Sequence, residues 1–236
     1  MKHLSYSSLK AFAKSPNHYL EYISKDYKDT PAMAFGRAFH ALLLEPDTFN
    51  ERFAIAPKCD KRTKAGKDEW QSFSEANKGK EAIDGGDYEN LLKMVANVQS
   101  EERRSLKKIN PEVPVSGIIQ DIEFKAILDG VSVRHIVDIK TTQDASPKSF
   151  SRAIFDLMYH LQAAIYCELT GINDYYILAV ENCAPYNVQE YKLSFDVLQT
   201  GRVQLFELIR KFKNWDGTPE SYSIGTYEIT IPTWYK

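Results

Sequence analysis

Three charged residues set the chemical question in this chain. Asp138 and Lys140 stand one residue apart near the end of "GVSVRHIVDIKTTQDAS" (130–146), inside a run that includes Val131, Val133, Ile136, Val137 and Ile139. Burying charge is costly unless it is paired or bound to a metal, so an apolar strand that carries an acid and a base needs something to offset that cost. On a strand the side chains alternate, which puts Asp138 and Lys140 on one face and points Ile139 into the core. Asp129-Gly130 reads as the turn of a hairpin, from which the Asp129 carboxylate reaches the same spot. Two carboxylates and an ammonium then converge at a sheet edge. Carboxylate oxygens, backbone carbonyls and waters suit Mg²⁺ or Mn²⁺, and a lysine beside them can orient or deprotonate an attacking water. Taken alone, Asp-Ile-Lys reads as a structural ion pair on a solvated strand. Asp129, nine residues earlier, brings the chemical reading level with that one.

Two further stretches carry polar groups in apolar settings. "YHLQAAIY" (159–166) spaces Tyr159, Gln162 and Tyr166 at i, i+3 and i+7, a stripe along one helix. Tyrosine rings often pack in cores, but Gln162 among Leu161, Ala163, Ala164 and Ile165 is a buried amide that needs a partner. "FGRAFHALLLEP" places Gly36 and His40 one turn apart on an otherwise apolar helix. A lone histidine in such a place is more often a satisfied core residue than a ligand.

The elements that must hold these residues follow from period and punctuation. "LSYSSLKAFAKSPNHYLEYI" has helical spacing, with Ser5 as N-cap and Pro16 opening a second turn or helix. A helix runs from Pro31 to a point before Pro46, and others cover Glu69–Asn77 and Tyr88–Ile109, divided by a turn at Gly85-Gly86. "GIIQDIEFKAILDG" reads as one half-buried strand in which Gln120 breaks the alternation. After the hairpin comes a helix from Pro147 to Leu169, closed by Thr170-Gly171. Two strands flank Ala184-Pro185, and "VLQTGRVQLFELIRKFKNW" is an amphipathic helix before a short aromatic tail, "YEITIPTWYK". The expected architecture is one α/β domain over residues 1–236: a mainly helical part, 1–110, and a sheet-bearing core, 111–236.

Composition narrows the classes. A chain of 236 residues, 43% hydrophobic and 26% charged, has the make-up of a soluble globular protein with a real core. Cys59, Cys167 and Cys183 are scattered and odd in number, which argues against a zinc ribbon, an iron–sulfur cluster or a disulfide framework. No run has signal-peptide or membrane-spanning length, so the expectation is a reduced, cytoplasmic protein with no membrane partner. The net charge of −2 means that any nucleic-acid surface must be a local patch.

In order along the chain, Gly36-Arg37-Ala38-Phe39-His40, Asp129, Asp138-Ile139-Lys140, Gln162 and Tyr166 resemble the PD-(D/E)XK nuclease superfamily in its RecB-like branch. "SYSSLKAFAKSPNHYLEYI", "MAFGRAFHALLLEPDTFNERFAIAP", "KRTKAGK", "VDIKTTQDAS", "YHLQAAIYCE" and "ITIPTWYK" are similar to the nuclease domain of the RecE (exodeoxyribonuclease VIII) family and its phage relatives. The ordered set is specific where each motif alone is weak. Valine replaces the signature proline before Asp138, a neighbour that varies in the superfamily.

The resemblance implies a restriction-endonuclease-like core with a central mixed sheet flanked by helices. It implies metal ligands at His40, Asp129, Asp138 and the Ile139 carbonyl, with Lys140 catalytic, Gln162 and Tyr166 near the scissile phosphate, and a family glutamate at Glu112. The implied cofactor is Mg²⁺, replaceable by Mn²⁺, with two ions per site. The implied activity is digestion of double-stranded DNA from its ends, 5′ to 3′, leaving 3′ strands for a RecT-like annealing recombinase. The basic stretch Lys58, Lys61, Arg62, Lys64 and Lys67 is expected to touch DNA, given Gly66 and the resemblance. Arg103, Arg104, Lys107 and Lys108 read instead as a solvated face. A homo-oligomeric ring, a tetramer rather than a trimer, would gather the basic loops around a duplex. Two rivals stand beside this reading: another nuclease of the same fold, endonucleolytic or single-strand-specific, and a non-catalytic module that binds DNA ends.

Overall fold

The computed structural model describes residues 3–24 and 30–219, together with 226, 228 and 230. The aromatic tail from Tyr227 lies outside the described residues apart from Glu228 and Thr230. In chain order the elements are α1 (Tyr6–Lys14), α2 (Pro16–Ser24), α3 (Pro31–Leu44), α4 (Phe49–Arg52), β1 (Phe53–Ile55), α5 (Lys64–Ala76), β2 (Glu81–Ile83) and α6 (Gly85–Gln99). There follow β3 (Asn110–Ile119), β4 (Ile122–Val131), β5 (His135–Thr142), α7 (Pro147–Asp156), α8 (Tyr159–Thr170), β6 (Asp174–Glu181), β7 (Val188–Lys192) and α9 (Phe195–Asn214).

Strands β3 to β7 form a mixed sheet in sequential order, antiparallel except where β5 runs parallel to β6. Both faces of its middle are covered. Ile136, Phe124, Leu128 and Ile177 pack with α1, α8 and α9, whereas Val137, Ile139, Leu178 and Val180 pack with α3 and α6. That double duty explains why β5 and β6 read as nearly continuous apolar runs, as buried strands do when helices cover both faces. The α/β class with a mixed sheet flanked by helices is thus the architecture of this chain.

Several boundaries differ from the sequence reading, each for a local reason. "GIIQDIEFKAILDG" is the end of one strand and the start of the next: Gln120 and Asp121 form the turn, with φ of 45° and 65°. Positive φ at both central residues is what a two-residue hairpin with right-handed twist requires. Neither residue is Gly or Asn, and Lys213 of α9 braces the turn through Asp121 Oδ2 at 3.0 Å. Asp129-Gly130 is not a turn but strand, and the chain reverses at Ser132–Arg134 instead, where the Ser132 hydroxyl accepts the amides of Arg134 and His135. Val133 is consequently exposed.

The helix expected from Pro147 to Leu169 is two helices, broken at Met158 with φ 58°. Gly85-Gly86 opens α6 under an Asp84 cap rather than forming a separate turn, and that helix stops at Gln99. Helix α5 begins at Lys64, earlier than its apolar period suggested, because Thr63 caps it. The region before residue 111 also holds a parallel pair, β1 with β2, each too short to show a period.

Candidate metal and nuclease site

The site forms where two neighbouring strands separate. Strands β4 and β5 pair only at Gly130–Val137 and Val131–Ile136. Beyond that the ladder opens, leaving the Ile139 amide without a backbone partner. Asp129 fills the gap: its Oδ2 accepts the Ile139 N–H at 2.6 Å. The convergence therefore lies at a fork inside the sheet, beside its central strand, and not at a sheet edge as the sequence suggested.

His40 reaches the fork from α3, across the second core. Its Nδ1 lies 3.3 Å from Asp129 Oδ1 and its Nε2 is 3.0 Å from the Ile139 carbonyl. Only a ring nitrogen bearing hydrogen can donate to that carbonyl, and a second proton on Nδ1 suits the carboxylate. Burial alone would lower the His40 pKa, but the charge of Asp129 and the hydrogen bond to it outweigh burial and hold it above the usual value. Burial likewise works against the Asp129 carboxylate, yet His40, Lys140 and the Ile139 amide together keep its pKa low. Gly36, one turn before His40, faces open space.

Glu112 joins from β3. Its neighbours Pro111 and Val113 pair with Gly130 and Leu128, so Glu112 stands opposite Asp129 without entering the ladder, at φ 48°. A left-handed backbone in a strand costs on the order of 1–3 kcal/mol for a residue with a side chain, and such positions gather at functional sites. Burial, then the charge of Asp129, raises its pKa. Ligand atoms of His40, Glu112 and Asp129 all lie within 4.8 Å of one another.

Asp138 and Lys140 occupy the opposite face of β5, under α8. Lys140 Nζ is 2.7 Å from Asp138 Oδ2, and Asp138 is 2% exposed. Beyond this ion pair that oxygen has no partner among the described residues. Burial pushes Asp138 up to about 6, with Asp129 adding to the shift and Lys140 opposing it. Burial would lower the Lys140 pKa, but Asp138 and Asp129 outweigh it and hold the ammonium charged. Of the two roles open to Lys140, orienting a water or a phosphate oxygen suits this state, and accepting a proton does not.

Helix α8 supplies the cover. Gln162 Nε2 donates to Asp138 Oδ1 at 3.1 Å and to the Tyr166 hydroxyl at 2.9 Å, while its Oε1 has no partner among the described residues. The Tyr159 ring lies 4.9 Å from Lys140 Nζ. Gly201 of α9 lets α8 approach closely, since a Cβ there would sit 2.1 Å from the His160 carbonyl.

Sequence reasoning missed one contributor, the start of α1. Leu4 adds a backbone bridge to β4, giving its N–H to Glu123 and accepting from Lys125. That bridge holds Tyr6 over the cleft, its hydroxyl donating to the Leu157 carbonyl at 2.6 Å. Burial raises the Tyr6 pKa although Lys140 opposes the shift. The cleft encloses about 730 Å³, lined by Ser5, Tyr6, Lys125, Lys140, Gln162 and Tyr166 among others. A serine cap before an aromatic residue is too common in sequence to have marked this role.

The expected DNA-contacting cations lie elsewhere. Lys58, Lys61, Arg62, Lys64 and Lys67 lie before and at the start of α5 and do not line the cleft. Arg62 is held by Asp60 through two contacts at 3.0 Å, and Lys61 sits over the Trp70 ring. In the other basic stretch, Arg103 and Lys107 pair with Glu101 and Glu102.

The donor set fits a hard divalent cation. Two carboxylates, of Glu112 and Asp129, and the His40 imidazole offer ligand atoms within 4.8 Å of one another, and the Ile139 carbonyl lies 3.0 Å from His40 Nε2. His40, Glu112, Asp129 and the Ile139 carbonyl are the groups that would hold it, and Asp138, on the other face of β5, would have to turn from Gln162 and Lys140 to join them.

Comparison with known proteins places this geometry. The crystal structure of a "Putative exonuclease" from Eubacterium rectale superposes with a TM-score of 0.63 at 14% identity, covering 90% of this chain and 80% of that one, a likeness of fold. The crystal structure of SSO0001 aligns over 91% of this chain and 88% of its own, at 12% identity and a TM-score of 0.33, too low to bear on the argument. No curated protein matches the sequence significantly. Residues 5–221 match the family described as "PDDEXK-like domain of unknown function (DUF3799)". That match takes in His40, Glu112, the Asp129–Lys140 fork and α8, and the chain belongs to this PDDEXK-like family.

Proposed function

We propose that the protein is a Mg²⁺-dependent exonuclease that digests linear double-stranded DNA from its ends, 5′ to 3′, in the manner of the RecE family. The observation that carries the reading is the strand fork, where His40, Glu112 and Asp129 gather on one side of β5 and the Asp138–Lys140 pair on the other, with Lys140 lining a cleft. A divalent cation in such a site neutralises phosphate charge and makes a bound water nucleophilic near neutral pH.

The chain's own groups do the rest. Lys140, kept charged by its carboxylates, offers hydrogen-bond donors to a non-bridging phosphate oxygen or to the attacking water. Gln162 donates to Asp138 Oδ1, and its own Oε1 is buried with no partner among the described residues. Tyr166 closes the chain of hydrogen bonds onto the Ile127 carbonyl at 3.4 Å. Lys64 and Lys67 add positive charge to the first turn of α5, where the helix dipole is already positive; that costs stability and favours an anion. The 3′ strand left behind would serve an annealing recombinase, and a ring of subunits, four by preference, would keep the duplex from escaping.

Linear duplexes labelled at one 5′ or one 3′ end, a closed circle and a single strand, each incubated with Mg²⁺, test the reading directly. Loss of label from 5′ ends with the circle intact is expected. Cleavage of the circle would make the protein an endonuclease, digestion of the single strand alone a different exonuclease, and binding without cleavage a non-catalytic module. Light scattering that shows a monomer would remove the ring.

A further inference from the structure

Helix α1 begins at the cleft and ends at a second hollow. Its first residues, Ser5 and Tyr6, line the cleft with Lys140. Its last, Lys14, lines a pocket of about 580 Å³ together with Arg210, Lys211 and Trp215 of the α9 end. Tyr6, Lys10 and Lys14 follow one another at i, i+4 and i+8, while Ser8, Leu9 and Phe12 take the buried side. At 1.5 Å per residue the stripe runs about 12 Å. It starts in the reacting cleft and ends among cations.

These cations have no acidic partners among the described residues. Among the described residues, Lys10, Lys14, Arg210 and Lys211 take part in no ion pair. Lys10 lies 5.6 Å from the Tyr6 ring centre, and both burial and the nearby Lys140 lower its pKa. Lys10 thus lies close enough to Lys140 to feel its charge. Stabilisation of helix ends is the bland account, since cations suit the last turn of a helix. It covers Lys14 and Lys211 but not Lys10, which is mid-helix, and in the same turn of α9 Lys213 does take an acid, Asp121.

We propose that the Tyr6–Lys10–Lys14 face of α1, continued by Arg210 and Lys211, is a track for the backbone phosphates of one DNA strand leading away from the cleavage cleft. The inference rests on the nuclease reading above and adds the path of the strand. Phosphates on this track would be gripped without regard to sequence, because ammonium and guanidinium groups contact only the backbone. The partner is a single strand, as the stripe is one helix face wide.

The test is fluorescence anisotropy of a labelled oligothymidylate with the full-length protein in EDTA, so that no cleavage intervenes, over a range of salt. Lys10→Gln with Lys14→Gln is expected to weaken binding about tenfold and to make the log–log salt slope shallower by roughly 1.4, about 0.7 for each phosphate left unneutralised. Lys10→Arg with Lys14→Arg should bind like wild type, which a merely misfolded helix would not. Arg210→Gln with Lys211→Gln, on a separate helix, should repeat the loss. Unchanged affinity and slope in both glutamine pairs, beside a wild type that cleaves DNA once Mg²⁺ is restored, would overturn the track alone. A wild type that neither binds nor cleaves DNA would overturn the nuclease reading and the track together.

Discussion

The strand fork and the basic loop before α5 both carry charge in excess of what folding needs, but they carry it differently. At the fork, Asp138 is almost fully buried, Asp129 accepts a backbone amide released by the open ladder, and Glu112 holds a strained backbone. The burial of Asp138 and the backbone of Glu112 cost stability, and the fork's groups are fixed by neighbours on several elements. In the loop, Arg62 is neutralised by Asp60 and the remaining cations stand on the surface, where ion pairs are worth little. Buried charge that folding does not require is a strong sign of chemistry. Surface charge becomes a sign only when its placement opposes stability, as Lys64 and Lys67 do at a helix N-terminus.

The largest effects are expected at the fork. Asp129→Asn or Asp138→Asn should abolish cleavage. Asp138→Asn, which stands in for the protonated acid, should leave stability close to that of the wild type, since burial already disfavours the carboxylate. Lys140→Met should reduce turnover at saturating metal at least ~10²-fold. Gel assays and urea melts of the three variants measure both effects. Near-normal turnover in Lys140→Met would break the contrast between the two regions.

Next in size is His40. Without the imidazole, the metal loses one nitrogen ligand while the oxygen ligands remain. Mn²⁺, which accepts imidazole and carboxylate sites more tightly than Mg²⁺, should partly rescue His40→Ala. Equal loss in both metals, with a lowered melting temperature, would return His40 to the role of a core residue.

Metal affinity should also depend on pH in one direction. Burial pushes the Asp138 pKa up to about 6, and the charge of Asp129 raises that of His40. A cation requires the carboxylate charged and the imidazole free, so protons compete with it. As pH falls through about 6, the rise in melting temperature caused by Mn²⁺ should shrink, and above it the rise should grow until His40 is neutral. For the metal-free fold the sign is opposite at Asp138: its contribution is most favourable below the unfolded carboxyl pKa and is lost as pH rises through about 6. A melting-temperature shift independent of pH would remove these two groups from the metal site.

Much of this was legible in the sequence because buried charge interrupts apolar patterns. Asp138, Lys140, Gln162 and His40 each break a run of hydrophobic residues, and the structure brings all four to the fork. What failed was punctuation. Gln120-Asp121 turns without Gly or Asn because α9 holds it, and Met158 breaks a helix whose flanks both favour helix. Those are tertiary effects, invisible to local propensity. Glu112 and Tyr6 were harder still, since their places depend on a strand register and on a bridge between Leu4 and Phe124, far apart in the chain.

The smallest expected effect belongs to the loop, and it separates binding from stability. Lys64 and Lys67 lie in the first turn of α5, with no acidic residue in that turn to offset them. Lys64→Gln with Lys67→Gln removes an unfavourable interaction with the helix dipole, worth about 0.3–1 kcal/mol for each exposed charge. The melting temperature should stay level or rise slightly. DNA affinity should nevertheless fall several-fold, and the salt slope on a duplex should become shallower by roughly 0.9 for each phosphate left unneutralised. Arg62→Gln should do less than either, since Asp60 already holds that guanidinium. A rise in stability together with a loss of binding would show that α5 gives up folding energy for an anion. A rise in stability with unchanged DNA affinity would leave the loop a solvated surface and the fork, with α1 beside it, as the DNA-contacting region.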